Sequence, residues 1–148
     1  MTKNTMKVHY MSERQDWRTP AKIMQYVEGR FGKVWDPCPV NPTFDGLSIK
    51  WKSPAYCNPP YGTEISKWIK KGFDAWDYAD GRGMIVIFLI PARTDTKWFH
   101  DYIQWSCELV FIRGRPKFDD SKGCAPFPSM LAIFDTCNSI NPPKVTFL

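Results

Sequence analysis

The sequence has no apolar run near the roughly 18 residues that a membrane span requires. Its longest, MIVIFLI at residues 84–90, has the length of a strand. The opening MTKNTMKVHYMSERQDW lacks the apolar centre of a signal peptide, so export is not expected. The five cysteines (Cys38, Cys57, Cys107, Cys124, Cys137) are odd in number, widely spaced and without a C-x-x-C pair. Neither a disulfide framework nor a zinc site follows, and a reducing cytoplasm fits. Histidine is scarce too: His9 and His100 stand in no Cys or Glu cluster, so no metal site is expected. There is no internal repeat and no low-complexity tract.

What is present fits one domain of 148 residues, with 43% hydrophobic and 24% charged residues. Residues 1–15 are polar and aperiodic and read as a loose arm; residues 16–148 read as a single domain. The net charge of +5 attracts polyanions and makes nucleic acid a plausible partner. Seven Trp, six Tyr and ten Phe are enough to build a core and still leave rings for stacking on bases.

Along the chain, strands and helices alternate. TPAKIMQYVEGRFG predicts a helix, with Thr19 as a cap, Pro20 at the first helical position and Gly32 at the stop. KVWDPC predicts a brief strand running into a Pro-rich loop, and AYC another that ends at Asn58. EISKWIKKGFDAWDYA has helical spacing, with Ile65, Trp68, Ile69 and Phe73 inward. MIVIFLI, ELVFIRG and SMLAIFD predict strands, and TDTKWFHDYIQW a helix capped by Thr94 or Asp95. This order implies α/β architecture with a mostly parallel sheet. Sites in such sheets lie beyond the carboxyl ends of the strands, where Asp36, Asn58 and Pro91 all fall.

CNPPYG, residues 57–62, stands at such an end. Two prolines fix φ and hold the residue before them extended. They can present the Asn58 side-chain oxygen and the Pro59 carbonyl as two acceptors in one small space. Together the acceptors would hold both hydrogens of a planar exocyclic amine and let its nitrogen become more tetrahedral, with Tyr61 stacked on the ring. That favours methyl transfer through positioning and electrostatics. A turn that merely ends a strand uses the same residues, so the motif alone leaves both readings standing.

From Trp17 to Phe134 the chain resembles the amino-methyltransferases that use S-adenosylmethionine, and among them the small phage-type, Dam-like DNA N6-adenine methyltransferases. WRTP looks like the opening motif of the cofactor site, VWDPCPVN like the start of the cofactor loop, and DGLSIKW like the stretch leading to the catalytic block CNPPYG. FLIPARTDTKWFHD, FIRGRPKF and APFPSMLAIF are similar to the later strands. The resemblance implies a trimmed Rossmann-like fold, a mostly parallel sheet with helices on both faces and an antiparallel last strand. It also implies a phage origin, in a host cell's cytoplasm, with the oligomeric state open, a homodimer included.

By the same resemblance Asn58, Pro59, Pro60 and Tyr61 are catalytic, and Thr19, Pro20, Asp36, Pro37, Cys38 and Asp45 line the cofactor site. Asp36 accepts a hydrogen bond from the cofactor's ammonium or caps the Pro-rich loop. Asp45 holds the adenine amine or steadies an Asp-Gly turn, and Thr19 caps a helix or also touches the cofactor. Cys38 is a packed residue. Arg93, Arg113, Arg115, Lys117 and Phe118 form a basic and aromatic group suited to DNA; alternation along IRGRPKF puts the last three cations on one side unless Gly114 and Pro116 bend it. The implied function is N6-methylation of a flipped adenine in DNA. Methylation of RNA adenine or a glutamine amide, and a non-catalytic nucleic-acid module, are the alternatives. One departure stands out: eight residues without glycine separate Asp36 from Asp45, where the wider family has a Gly-rich loop and two further strands. No acidic residue clearly matches the one that grips the cofactor ribose.

Overall fold

The computed structural model describes residues 19–79, 82–117, 124–135 and 144–148. The expected loose arm, Trp17, Arg18 and Phe118 lie outside them. The elements are α1 (Ala21–Phe31), β1 (Ala55–Cys57), α2 (Ile65–Asp77), β2 (Ile85–Pro91), a π-helical turn (Phe99–Ile103), β3 (Glu108–Phe111), β4 (Ser129–Asp135) and β5 (Val145–Phe147).

The five strands form one open sheet in the order β1-β2-β4-β3-β5. β1 pairs with β2 in parallel and β3 with β5 in parallel, whereas β4 is antiparallel to both its neighbours. The sheet is therefore mixed, which corrects the expectation of a mostly parallel one. Four strands share one direction, but inserting reversed β4 between β2 and β3 turns what would be one parallel ladder into two antiparallel ones. The antiparallel strand is also not the last. β5, which the sequence pattern did not signal, follows it and adds to the edge of β3. KVWDPC does not reach strand length: Trp35 meets Ala55 through a single parallel bridge. Pro37 and Pro39 follow at once, and prolines cannot donate to a ladder.

Alternation on β2 divides the core into two layers. Val86, Phe88 and Ile90 pack with Trp68 and Ile69 of α2 and with Phe99 and Ile103 of the π-helical turn. Ile87 and Leu89 face the other way, onto Ile23 and Val27 of α1. Two helix starts differ from expectation. Pro20 itself is the N-cap of α1, and its carbonyl accepts from the N–H groups of Ile23 and Met24 at 3.0 and 3.1 Å. Thr19 therefore does not cap the helix. After β2 the π-helical turn has Trp98 at its N-cap, and it is Thr96, not Thr94 or Asp95, that bonds the turn before it: Thr96 Oγ1 accepts from the Phe99 N–H at 3.4 Å and donates to the Arg93 carbonyl at 2.8 Å. None of the described helices is long and apolar enough to cross a membrane.

α1 is also clamped to the sheet by charge. Glu108, at the start of β3, is 2% exposed. Arg30 grips it with two parallel hydrogen bonds, 2.9 Å from Nη1 to Oε1 and 2.5 Å from Nη2 to Oε2. The Arg30 bond holds the Glu108 carboxyl below its ordinary range against desolvation. Removing one partner of a buried pair strands the other charge, at a typical cost of about 3–5 kcal/mol. Arg30→Ala should therefore lower unfolding stability by about 3 kcal/mol at pH 7, the low end because Lys144 stands 3.8 Å from Glu108. A depressed carboxyl stabilises above its unfolded pKa and loses that contribution as pH falls through the folded one. Urea unfolding at pH 7 and at successively lower pH checks both. The gap between wild type and variant should narrow with acid; a constant gap would mean that only packing was lost.

Candidate active site

β1, β2 and β3 end at the same edge of the sheet, and the reversed strand β4 begins there. That edge gathers Asn58 after β1, Ala92 and Arg93 after β2, Arg113 after β3, and the segment 125–128 ahead of β4. Pro91 pairs with Ser129 in register, and the Ala92 N–H donates to the Pro128 carbonyl at 2.9 Å, which fixes the two loops against each other.

Asn58 is half-buried, Pro59 buried and Pro60 half-buried. The Tyr61 hydroxyl turns back along the loop and donates its one proton to Asn58 Oδ1 at 2.9 Å, with the Leu89 carbonyl as a longer second acceptor at 3.3 Å. Burial pushes the Tyr61 phenol well above its ordinary range, so it keeps its proton and remains a donor. The ring of Tyr61 meets the ring of Phe127 edge to face, 5.1 Å between centroids at 81°. The Arg93 guanidinium lies 5.7 Å from the Phe127 centroid, over the ring. Carboxamide, phenol, phenyl and guanidinium thus form one continuous wall.

Phe127 is not among the residues expected at the site from the sequence. A signal was there: APFPS holds a phenylalanine between two prolines, the same stiffening that surrounds Asn58.

The remaining candidates fall into two groups. On the β1 side, Thr19 Oγ1 lies 2.7 Å from the buried Tyr56 hydroxyl, and the Tyr56 N–H donates to the Trp35 carbonyl at 2.9 Å. Thr19, Pro20, Asp36 and the end of β1 are thereby brought together. Asp36 Oδ1 accepts from the Cys38 N–H at 2.8 Å. Desolvation nevertheless raises the Asp36 carboxyl above its ordinary range, the Cys38 bond opposing it, and no described cation contributes. Burial and the Asp36 charge push the Cys38 thiol up to about 12, so it is a neutral packed group. Asp45 is occupied in its own turn: it accepts from the Leu47 N–H at 3.0 Å and from the Ser48 hydroxyl at 2.6 Å. The Ser48 bond, first among the causes, draws its carboxyl below the ordinary range. Beside it, a Cβ on Gly46 would sit 2.0 Å from the Pro37 carbonyl oxygen and 2.9 Å from the Trp68 ring. Only glycine lets the two ends of this short loop touch.

On the other side, Arg93, Arg113, Arg115 and Lys117 are all exposed. Gly114 takes φ 72°, so the chain bends there and the alternation along IRGRPKF is interrupted. Arg115 Nη1 donates to the Pro126 carbonyl at 3.2 Å, next to Phe127, and the Arg113 N–H donates to the Leu148 carbonyl at 2.8 Å. Arg115 thus leans toward the aromatic wall while Arg113 stays with the sheet edge. No group of three or more His, Cys, Asp or Glu that could hold a metal occurs among the described residues.

Compared with known families, residues 7–136 match the family described as DNA N-6-adenine-methyltransferase (Dam). Neither the curated proteins nor the solved structures return a significant match. The observed strand order, with one reversed strand inside an otherwise codirectional open sheet, is consistent with a methyltransferase-like fold. With the match spanning most of its length, the chain belongs to the Dam family of DNA N6-adenine methyltransferases, whose reaction implies S-adenosylmethionine as methyl donor.

Proposed function

We propose that the chain methylates the N6 amine of an adenine turned out of DNA into the pocket at the carboxyl edge, with Asn58 and Pro59 as acceptors for that amine. The observation that carries this reading is the wall itself: an amide oxygen held at a strand end, flanked by the rings of Tyr61 and Phe127 and by Arg93. Adenine N6 is engaged in base pairing within the duplex, so the base has to leave the stack to be reached.

Asn58 Oδ1 has two lone pairs, so it can accept from the Tyr61 hydroxyl and from an N–H of the amine at once. The Pro59 carbonyl takes the other N–H. Both acceptors stabilise the positive charge that develops on nitrogen, in a half-buried setting where oriented dipoles act strongly. Tyr61 and Phe127 offer apolar surface to the base, and stacking of this kind is worth about 1–3 kcal/mol per base.

The residues near β1 suit the methyl donor. When bound, S-adenosylmethionine supplies a methyl group on a cationic sulfur. A carboxylate that desolvation has made more basic, with no described cation beside it, suits an ammonium, and Asp36 is such a group. Thr19, Pro20, Pro37 and Cys38 give that end of the pocket its shape. Asp45 serves there by closing the turn that seats Gly46 against Pro37.

Asn58→Ala should reduce methyl transfer to DNA by about 10²–10³, as loss of one oriented transition-state contact typically does. Transfer of label from tritiated S-adenosylmethionine into DNA measures it, with circular dichroism to verify the fold. Wild-type activity in this variant would remove Asn58 from the chemistry, and label entering only RNA or protein would change the substrate.

Arg113 and Arg115 are assigned to phosphates. Each phosphate neutralised on duplex DNA adds about −0.9 to the slope of log affinity against log salt. Changing both arginines to Gln should weaken binding to all sequences and flatten the slope by about one to two units, while sequence preference survives at low salt. Fluorescence anisotropy across a salt series tests this. An unchanged slope would return both to the solvated surface, and an altered target sequence would make them base readers.

A further inference from the structure

The proposed reaction needs the oxygen of the Asn58 amide, not its nitrogen, turned toward the target amine. The two ends of a carboxamide are nearly the same size and opposite in hydrogen-bonding sense. With Nδ2 in that place, donor would face donor. Some group has to choose between the two orientations.

We infer that the Tyr61 hydroxyl is this positioning group: by donating to Asn58 Oδ1 at 2.9 Å it fixes the orientation of the amide and so keeps an acceptor aimed at the adenine amine. The role is separate from stacking, which uses only the ring. Its geometry is anchored independently of DNA. The same hydroxyl reaches the Leu89 carbonyl, 3.3 Å away on the neighbouring strand β2, and the ring edge is braced by Phe127. The hydroxyl therefore cannot swing away without leaving both contacts. Enclosure of the ring pushes the phenol well above its ordinary range, so the hydroxyl keeps its proton as a donor. Only two residues, Pro59 and Pro60, lie between Asn58 and Tyr61, and both stiffen the path. One loop thus supplies both the acceptor and the group that orients it.

The inference rests on the reading of Asn58 as the amine acceptor, and the test separates the two. In full-length protein, Tyr61→Phe retains the ring and removes the hydroxyl. Single-turnover methylation of mixed-sequence DNA should slow by roughly five- to tenfold, the scale of one lost hydrogen bond. Affinities for S-adenosylmethionine and for DNA should be unchanged, because the stacking surface is intact. The same change made in the Asn58→Asp variant should cost less than about twofold, since the two oxygens of a carboxylate are equivalent and there is no orientation to lose. A second readout needs no turnover. In protein labelled with 15N-asparagine, the Asn58 side-chain amide signal, identified by its loss in Asn58→Ala, should shift in Tyr61→Phe. An inactive Asn58→Ala together with a wild-type rate in Tyr61→Phe would overturn the positioning role and leave the site reading intact. Equal losses in the wild-type and Asn58→Asp backgrounds would reduce the hydroxyl to a structural brace, and an unmoved amide signal would show that another group orients Asn58. Wild-type activity in Asn58→Ala would remove the acceptor, and with it anything for Tyr61 to position.

Discussion

The reversal of β4 decides where chemistry can sit on this chain. Were β4 codirectional with β2 and β3, its first residues would emerge at the opposite edge of the sheet. Phe127 and the Pro126 carbonyl would then be a strand length away from Asn58. Because it runs against its neighbours, with Pro91 in register with Ser129, the start of β4 faces the ends of β1 and β2. Tyr61 then finds Phe127, Arg93 finds the face of that ring, and Arg115 finds a carbonyl beside it. The ladder between β2 and β4 runs through seven residue pairs in the middle of the core, so this arrangement is costly to disturb.

Stiffness does for this small domain what extra strands do for larger ones. β1 is only three residues long, yet it is wholly buried between β2 and the Trp35 bridge. Its exit is held by two prolines, and Phe127 is held by another two. The Asp36 loop is seated by a close approach that only Gly46 permits, and the Trp51 indole N–H fastens the Gly46 carbonyl at 2.7 Å. Side chains at a site lose less freedom on engaging a ligand when their backbone is already fixed. That gives a physical reason why a loop of so few residues between Asp36 and Asp45 can still hold a fixed shape.

Much of this was legible in the sequence, for identifiable reasons. Short apolar runs and a 3.6-residue period are local signals, so β2, β4, α1 and the buried face of α2 could be read directly. So could Asn58 and Tyr61, because prolines next to a strand announce themselves. What escaped was nonlocal. The reversal of β4 and the addition of β5 depend on which edges are free once the other strands have paired, and three residues of VTF carry no period. Thr19 read as a cap because a threonine directly before a proline at a helix start fits that role; its partner, Tyr56, lies 37 residues away. The bond from Tyr61 to Asn58 was hidden because a tyrosine beside a substrate is read for its ring before its hydroxyl.

The central claim is that this edge transfers a methyl group to N6 of adenine in DNA. The most direct measurement is nucleoside mass spectrometry of unmodified mixed-sequence DNA after incubation with the full-length protein and S-adenosylmethionine. The account predicts N6-methyldeoxyadenosine as the methylated nucleoside, and none of it when S-adenosylmethionine is omitted. Methyl groups on cytosine instead, or DNA that stays unmodified while added RNA or protein is methylated, would contradict it.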